Sequence, residues 1–203
     1  MREAQATPKR RMRAPERREQ LLQVARRVFS ERGYHTVTME DVASEAGVTK
    51  PILYDHFPSK RDLYRGLLES DLAALKERIE TALESSPGNR ERIRASFQAY
   101  FDFVDEEGEG FTLLMQEAVG AEEEFRGLIG RFREDVLAAV TEVIVRESHG
   151  NLDRREAEDV ALGLIGLAET VAQHEPGRSK QERAATVDTL VRLAWRGITG
   201  LTP

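Results

Sequence analysis

The sequence predicts an all-α protein of about nine helices, with an N-terminal three-helix domain containing a helix-turn-helix and a larger C-terminal helical domain. Three observations predict this. Apolar residues recur at three- and four-residue steps, the spacing that lines one helix face, and no strand pattern competes. The 15 glycines and 7 prolines are sparse in 203 residues and sit at discrete points, as long helices with short connections require. At 40% hydrophobic and 33% charged residues, the chain has ample material for a core and is not of the disordered class.

Residues 1–14 read as a flexible basic arm, in which Lys9, Arg10, Arg11 and Arg13 crowd together with no apolar period. The arm is either a solvated tail or a segment that lies along phosphates or enters a minor groove. The helix-turn-helix domain is expected over residues 15–60. Its first helix runs from about 15 to 32, with Leu21, Leu22, Ala25, Val28 and Phe29 on one face and Gly33 as its stop. Thr38 caps the second helix, and Asp41 three residues on completes a capping-box pattern. Gly47 makes the turn, and Thr49 caps a third helix with Pro51 in its first turn, where no intrahelical bond is lost.

Residues 61–203 form the expected body. A long helix begins at Ser59–Asp62 and ends near residue 85. Further helices are expected over about 90–105, 112–119, 122–147, 154–174 and 179–199.

Composition excludes several functions. With no cysteine there is no disulfide, thiolate metal site or cysteine nucleophile, and a reducing compartment fits. No run of 18 apolar residues exists, so no membrane helix is expected, and the basic N-terminus lacks the apolar stretch of a secretory signal. The four histidines are far apart, and no phosphate-binding glycine loop or nucleophile motif occurs, so no enzyme and no cofactor are expected. The net charge of −6 hides an asymmetry. Residues 1–61 carry 13 Lys and Arg against 8 Asp and Glu, and the remainder carry 17 against 28. A basic head on an acidic body points to a polyanion at one end.

Residues 38–60 have the physical logic of a DNA reader. A short support helix, a glycine turn and a second short helix place one exposed face in a major groove. Val42, Val48 and Leu53 lock the pair to the first helix, while Thr49, Lys50, Ile52, Tyr54, Asp55 and His56 face outward with hydrogen-bonding groups, a cation and an apolar tip for a thymine methyl. Asp55 is either a cytosine reader or a solvated or paired carboxylate.

Gly33-Tyr34, the run Thr38 to Ala43, Ala46 to Thr49, Leu53 to Phe57, and Lys60 with Leu63 together resemble the TetR family of bacterial regulators. The resemblance spans about residues 17–68. It implies that Thr38 caps its helix and contacts phosphate, and that Thr49, Lys50 and Ile52 face base edges. It further implies that Tyr54 and His56 meet the backbone and that Lys60 binds phosphate. Pro51 stands at a position often held by a small residue. The resemblance implies a cytoplasmic bacterial regulator of transcription, usually a repressor, that reads a palindromic operator in double-stranded DNA as a homodimer.

The resemblance implies that residues 61–203 form a C-terminal helical ligand-binding and dimerisation domain. Leu167 and Val171, with Leu190, Val191, Ala194, Trp195 and Ile198, are expected at a dimer interface or in the monomer's own core. Phe97, Tyr100, Phe101, Val104, Phe111, Leu114, Met115, Phe125, Ile129, Phe132 and Leu164 are expected around an apolar effector pocket. The stretch from Ala99 through Leu114 is similar to actinobacterial members of the family that regulate fatty-acid synthesis and sense long acyl-CoA thioesters. The rival reading is a helical ligand-binding protein without DNA-binding activity.

Overall fold

The computed structural model describes residues 13–107, 122–174 and 179–196, and within them eight helices and no strand. They are α1 (Ala14–Arg32), α2 (Met39–Glu45), α3 (Lys50–His56), α4 (Lys60–Ser85), α5 (Asn89–Glu107), α6 (Glu123–Glu147), α7 (Arg154–His174) and α8 (Lys180–Arg196). The all-α expectation holds. The helix expected over 112–119 lies outside the described residues, as do Arg10, Arg11, Phe111, Leu114, Met115 and Ile198.

Local chemistry sets the head. The capping box forms as the sequence predicts: the Thr38 hydroxyl accepts from the Asp41 amide at 3.2 Å, and Asp41 accepts from the Thr38 amide at 2.8 Å. The Thr38 hydroxyl also donates to Asp41 Oδ2 at 2.5 Å, and this bond first, then the Thr38 amide, holds the Asp41 carboxyl below its ordinary pKa. The depressed value means that the box persists at neutral pH and weakens only as pH falls through it. Gly47 turns the chain at φ 63°, and the Val48 amide reaches back to the Ala43 carbonyl at 3.0 Å. Then α3 stands on Leu53, which is fully buried, and on Phe57 just beyond its end.

Two long helices join head to body. At 1.5 Å per residue, the 26 residues of α4 and the 25 of α6 each span roughly 38 Å. The first half of α4 gives Leu63, Tyr64, Leu67, Leu68 and Leu72 to the head core, and its second half gives Leu75, Ile79 and Leu83 to the body. The helix α6 divides the same way, with Phe125 and Ile129 in the head core and Val136 and Val140 in the body. The domain boundary expected at residue 60 coincides with the start of α4, yet the apolar core runs through it. Close seating of α4 on the head depends on Gly66, where a Cβ would meet the Arg18 guanidinium at 3.0 Å and the Phe57 ring at 3.1 Å.

A buried ion pair pins α1 to α4. The Asp71 side chain is 1% exposed and accepts from two nitrogens of the Arg26 guanidinium, one of them Nε at 3.2 Å. In the body, α5 packs on α4 and α8, and α7 packs on α6. Phe97 and Phe101 of α5, Ala168 and Ala172 of α7, and Val187, Leu190 and Val191 of α8 close a third apolar cluster.

Candidate nucleic-acid interface and effector cavity

The outer face of the head is built by α3. Burial of Leu53 turns Thr49, Lys50, Pro51, Ile52, Tyr54 and Asp55 outward, while His56 is half-buried at the last turn. Ile52 and Tyr54 are 39% and 45% exposed, large apolar surfaces of the kind that mark a contact face. The Lys50 ammonium pairs with Glu40 of α2 at 2.9 Å, which raises its pKa. Both partners are exposed, so the pair is weak and the lysine stays exchangeable. Thr38 is exposed at the start of α2, and Arg13 is exposed at the N-cap of α1.

Lys60 is placed differently from the expected phosphate contact. Its ammonium donates to the carbonyls of Tyr34 at 2.9 Å, His35 at 3.3 Å and Val37 at 2.9 Å, and sits 4.8 Å over the Tyr34 ring. It closes the loop between α1 and α2, because those carbonyls lie past the end of α1 with no helical partner. Lys60→Ala is therefore expected to lower the stability of the head by about 1.5–3 kcal/mol, the range for charge-assisted bonds, and to weaken binding to every DNA sequence alike. Thermal unfolding checks this, because loss of a phosphate contact alone would leave the melting temperature unchanged.

Behind the head, Tyr34 links it to the start of α6. Its hydroxyl donates to Glu122 at 2.9 Å, and burial, then that bond, pushes its pKa up to about 12. Arg61 meets Glu122 at 3.0 Å and Glu124 at 2.5 Å, and Arg65 meets Glu124 at 3.3 Å. The rings of Phe29, Tyr34, Tyr64 and Phe125 pack together in tilted and edge-to-face pairs, with Tyr64 and Phe125 centroids 5.0 Å apart.

The body holds a cavity of about 280 Å³ between α4, α5, α6 and α7. Of the residues expected around a pocket, Phe97, Tyr100, Phe132 and Leu164 line it. Four others are placed elsewhere, a correction to the sequence reading. Phe125 and Ile129 lie in the head core, Phe101 packs against α8, and Val104 packs in the α4–α6 cluster. All four sit on correctly read apolar faces, but periodicity does not say which neighbour a face meets. The sequence reading missed Ile93, Ser96, Val136, Val140, Val143 and Ile165 as wall residues. Val136, Val140 and Val143 continue the stripe from Phe132, and that was their available signal. Ion pairs Arg92–Glu147 at 3.1 Å and Arg133–Glu169 at 3.2 Å are built into the wall.

Of the residues expected at a dimer interface, Leu190 and Val191 fill the monomer's own core, Leu167, Val171 and Ala194 pack partly against it, and Trp195 is exposed. On α7, Val160 and Leu162 are also exposed, and a Cβ built at Gly163 or Gly166 meets nothing within 4 Å. Among the described residues no group of three or more histidines or carboxylates stands where it could hold a metal, and no helix is long and apolar enough to cross a membrane.

A three-helix head with an exposed third helix, joined through two long helices to a cavity-bearing helical body, is the architecture of a helix-turn-helix transcriptional regulator. Two family profiles match in tandem: "Bacterial regulatory proteins, tetR family" over residues 21–67, and "Tetracyclin repressor-like, C-terminal domain" over residues 89–197. The chain belongs to the TetR family of bacterial regulatory proteins. It is 33% identical over 185 residues to the HTH-type transcriptional activator FasR of Mycolicibacterium smegmatis, covering 91% of this chain and 84% of that protein. A TetR-like transcriptional regulator from Rhodococcus sp. RHA1 superposes with a TM-score of 0.75 at 28% identity, over 94% of this chain and all (100%) of that one. FadR from Bacillus subtilis in complex with stearoyl-CoA shares the fold, with a TM-score of 0.73 at 18% identity over 89% of this chain and 98% of that one.

Proposed function

We propose that this chain regulates transcription by binding a palindromic operator as a homodimer, and that a small apolar effector in the body cavity releases or retunes it. The observation that carries this reading is the path from cavity to reading face: α6 lines the cavity with Phe132, Val136 and Val140 and reaches the head core with Phe125 and Ile129. A ligand that fits one dimer shape better shifts the population toward it and changes the spacing of the two heads. The exposed Leu162 and Trp195, and the open space at Gly163 and Gly166, support pairing, since a partner helix can approach closely at those glycines. The site of action is then the bacterial cytoplasm.

A long-chain acyl-CoA is the effector class we favour, because FadR holds stearoyl-CoA in the same fold and the cavity wall is mostly apolar. Repression is what the family resemblance implies. Activation is the second reading, favoured because FasR, matched over most of its length, is an activator.

A gel-shift series on DNA from the protein's own promoter region, across salt, tests the reading. Affinity is expected to fall about 10³-fold or more between 50 and 200 mM salt if six or more phosphates are contacted. Lys50→Ala is expected to change the order of preference among operator variants by roughly 1–3 kcal/mol at one base pair. Specific binding that is absent at low salt would favour a ligand-binding protein without DNA-binding activity.

A further inference from the structure

One carboxylate on the outer face of the head is left without a cation. The helices α2 and α3 carry four carboxylates, Glu40, Asp41, Glu45 and Asp55. The three on α2 are paired: Glu40 with Lys50 at 2.9 Å, Asp41 with Arg32 at 3.4 Å and Glu45 with Arg27 at 2.5 Å. Asp55 is exposed and has neither an ion pair nor a hydrogen bond among the described residues. Its neighbours three and four positions away are Pro51, Ile52, Pro58 and Ser59, none of which can neutralise it. The fold gains nothing from this acid. It stands in the last turn of α3, where the negative end of the helix dipole disfavours a carboxylate.

The direction of Asp55 is set by the anchor on the opposite side of the helix. At about 3.6 residues per turn, Asp55 lies about 200° round α3 from the buried Leu53. Pro51, one turn back, shares that outermost line, and Ile52 and Tyr54 stand on its flanks. With Leu53 held in the head core, the outermost line is the part of α3 that enters a major groove deepest, and the flanks face the phosphate walls. A carboxylate at the deepest line loses water and must find a donor there. Guanine, adenine and thymine each present at least one acceptor on the major-groove edge, whereas cytosine presents only its amino donor.

On the reading of this head as an operator binder, we propose that Asp55 is a specificity-determining residue that accepts a hydrogen bond from the exocyclic amino group of one cytosine in each half-site. The acid also rejects thymine at that place, because the O4 acceptor stands where the amino group stood. It contributes no affinity for non-specific DNA, since its charge repels phosphate.

Selection of bound duplexes from a randomised pool, by the full chain and by its Asp55→Ala variant, tests this. The parent is expected to fix a cytosine at one position of each half-site, and Asp55→Ala is expected to lose the preference at that position alone. On the selected operator, replacing that C·G pair by T·A should weaken the parent roughly ten- to hundredfold and Asp55→Ala by less than about twofold. On unrelated DNA the variant should bind as tightly as the parent or more tightly, with one negative charge fewer near the phosphates. Asp55→Ala should melt no lower than the parent, because it removes an unpartnered group from an unfavourable helix position. The proposal is overturned if the variant keeps every base preference of the parent, if the position it relaxes is not a cytosine, or if it melts lower. A parent that selects no sequence at all would overturn the operator reading, and the role of Asp55 with it.

Discussion

Arg26→Met is expected to destabilise the fold by about 3–5 kcal/mol, a loss near the top of the range for a single substitution. The reason is the partner left behind. Asp71 is 1% exposed in the packed angle between α1 and α4, and its two oxygens face the Arg26 guanidinium. Without the arginine, a carboxylate stays in an apolar site or must take up a proton. An exposed pair gives the contrast: Lys76 meets Asp135 at 2.7 Å, but with side chains 34% and 55% exposed. Lys76→Ala is expected to cost less than about 1 kcal/mol. Replacing both buried partners, Arg26→Met with Asp71→Leu, is expected to recover much of the loss, since apolar residues of similar volume replace buried pairs well. Urea unfolding of the three variants decides it. If Arg26→Met costs no more than Lys76→Ala, the pair is not what holds α1 on α4. Because α1 and α4 together seat the reading helix, Arg26→Met should also weaken operator binding at temperatures near its lowered midpoint.

Leu164→Trp is expected to abolish the effector response while sparing DNA binding. Leu164 lies on α7 and lines the cavity together with Phe97 and Tyr100 of α5. An indole there occupies space that an acyl chain needs, in a cavity of only about 280 Å³. Ligand affinity should fall by more than about tenfold, or 1.4 kcal/mol. Overpacking strain should cost about 1–3 kcal/mol of stability. Operator affinity without ligand should stay within about twofold, a change under 0.5 kcal/mol. Gel shifts with and without octanoyl ester read both quantities. A variant still released from DNA at the same ligand concentration as the parent would place the effector outside this cavity.

How much was legible beforehand follows the sequence range of each interaction. The box between Thr38 and Asp41, the stop at Gly33 and the turn at Gly47 are settled by residues within three or four positions, and they formed as read. The outward face of α3 was readable for the same reason, because a seven-residue helix with one deep anchor, Leu53, has only one way to face. Lys60 was not readable. Its carbonyl partners stand 23 to 26 residues back, and a lysine at that spot suits phosphate equally well on paper. The same limit covers Arg26 and Asp71, 45 residues apart, and Tyr34 with Glu122, 88 apart.

The sequence alone determined the described helices, the Thr38 and Ser59 caps, the turn between α2 and α3, the family and the basic head, since each rests on short-range periodicity, backbone stereochemistry or a contiguous motif; Thr49, expected as a cap, stands at the N-cap of α3 without a side-chain bond. The tertiary structure decided which apolar stripe meets which. It sent Phe125 and Ile129 to the head rather than the cavity, buried Leu190 and Val191 in the monomer, committed Lys60 to a loop, and left the Ser96 hydroxyl unpaired in an apolar wall. The physical reason is that apolar attraction is non-directional: periodicity marks the face that leaves water, and only packing selects its partner.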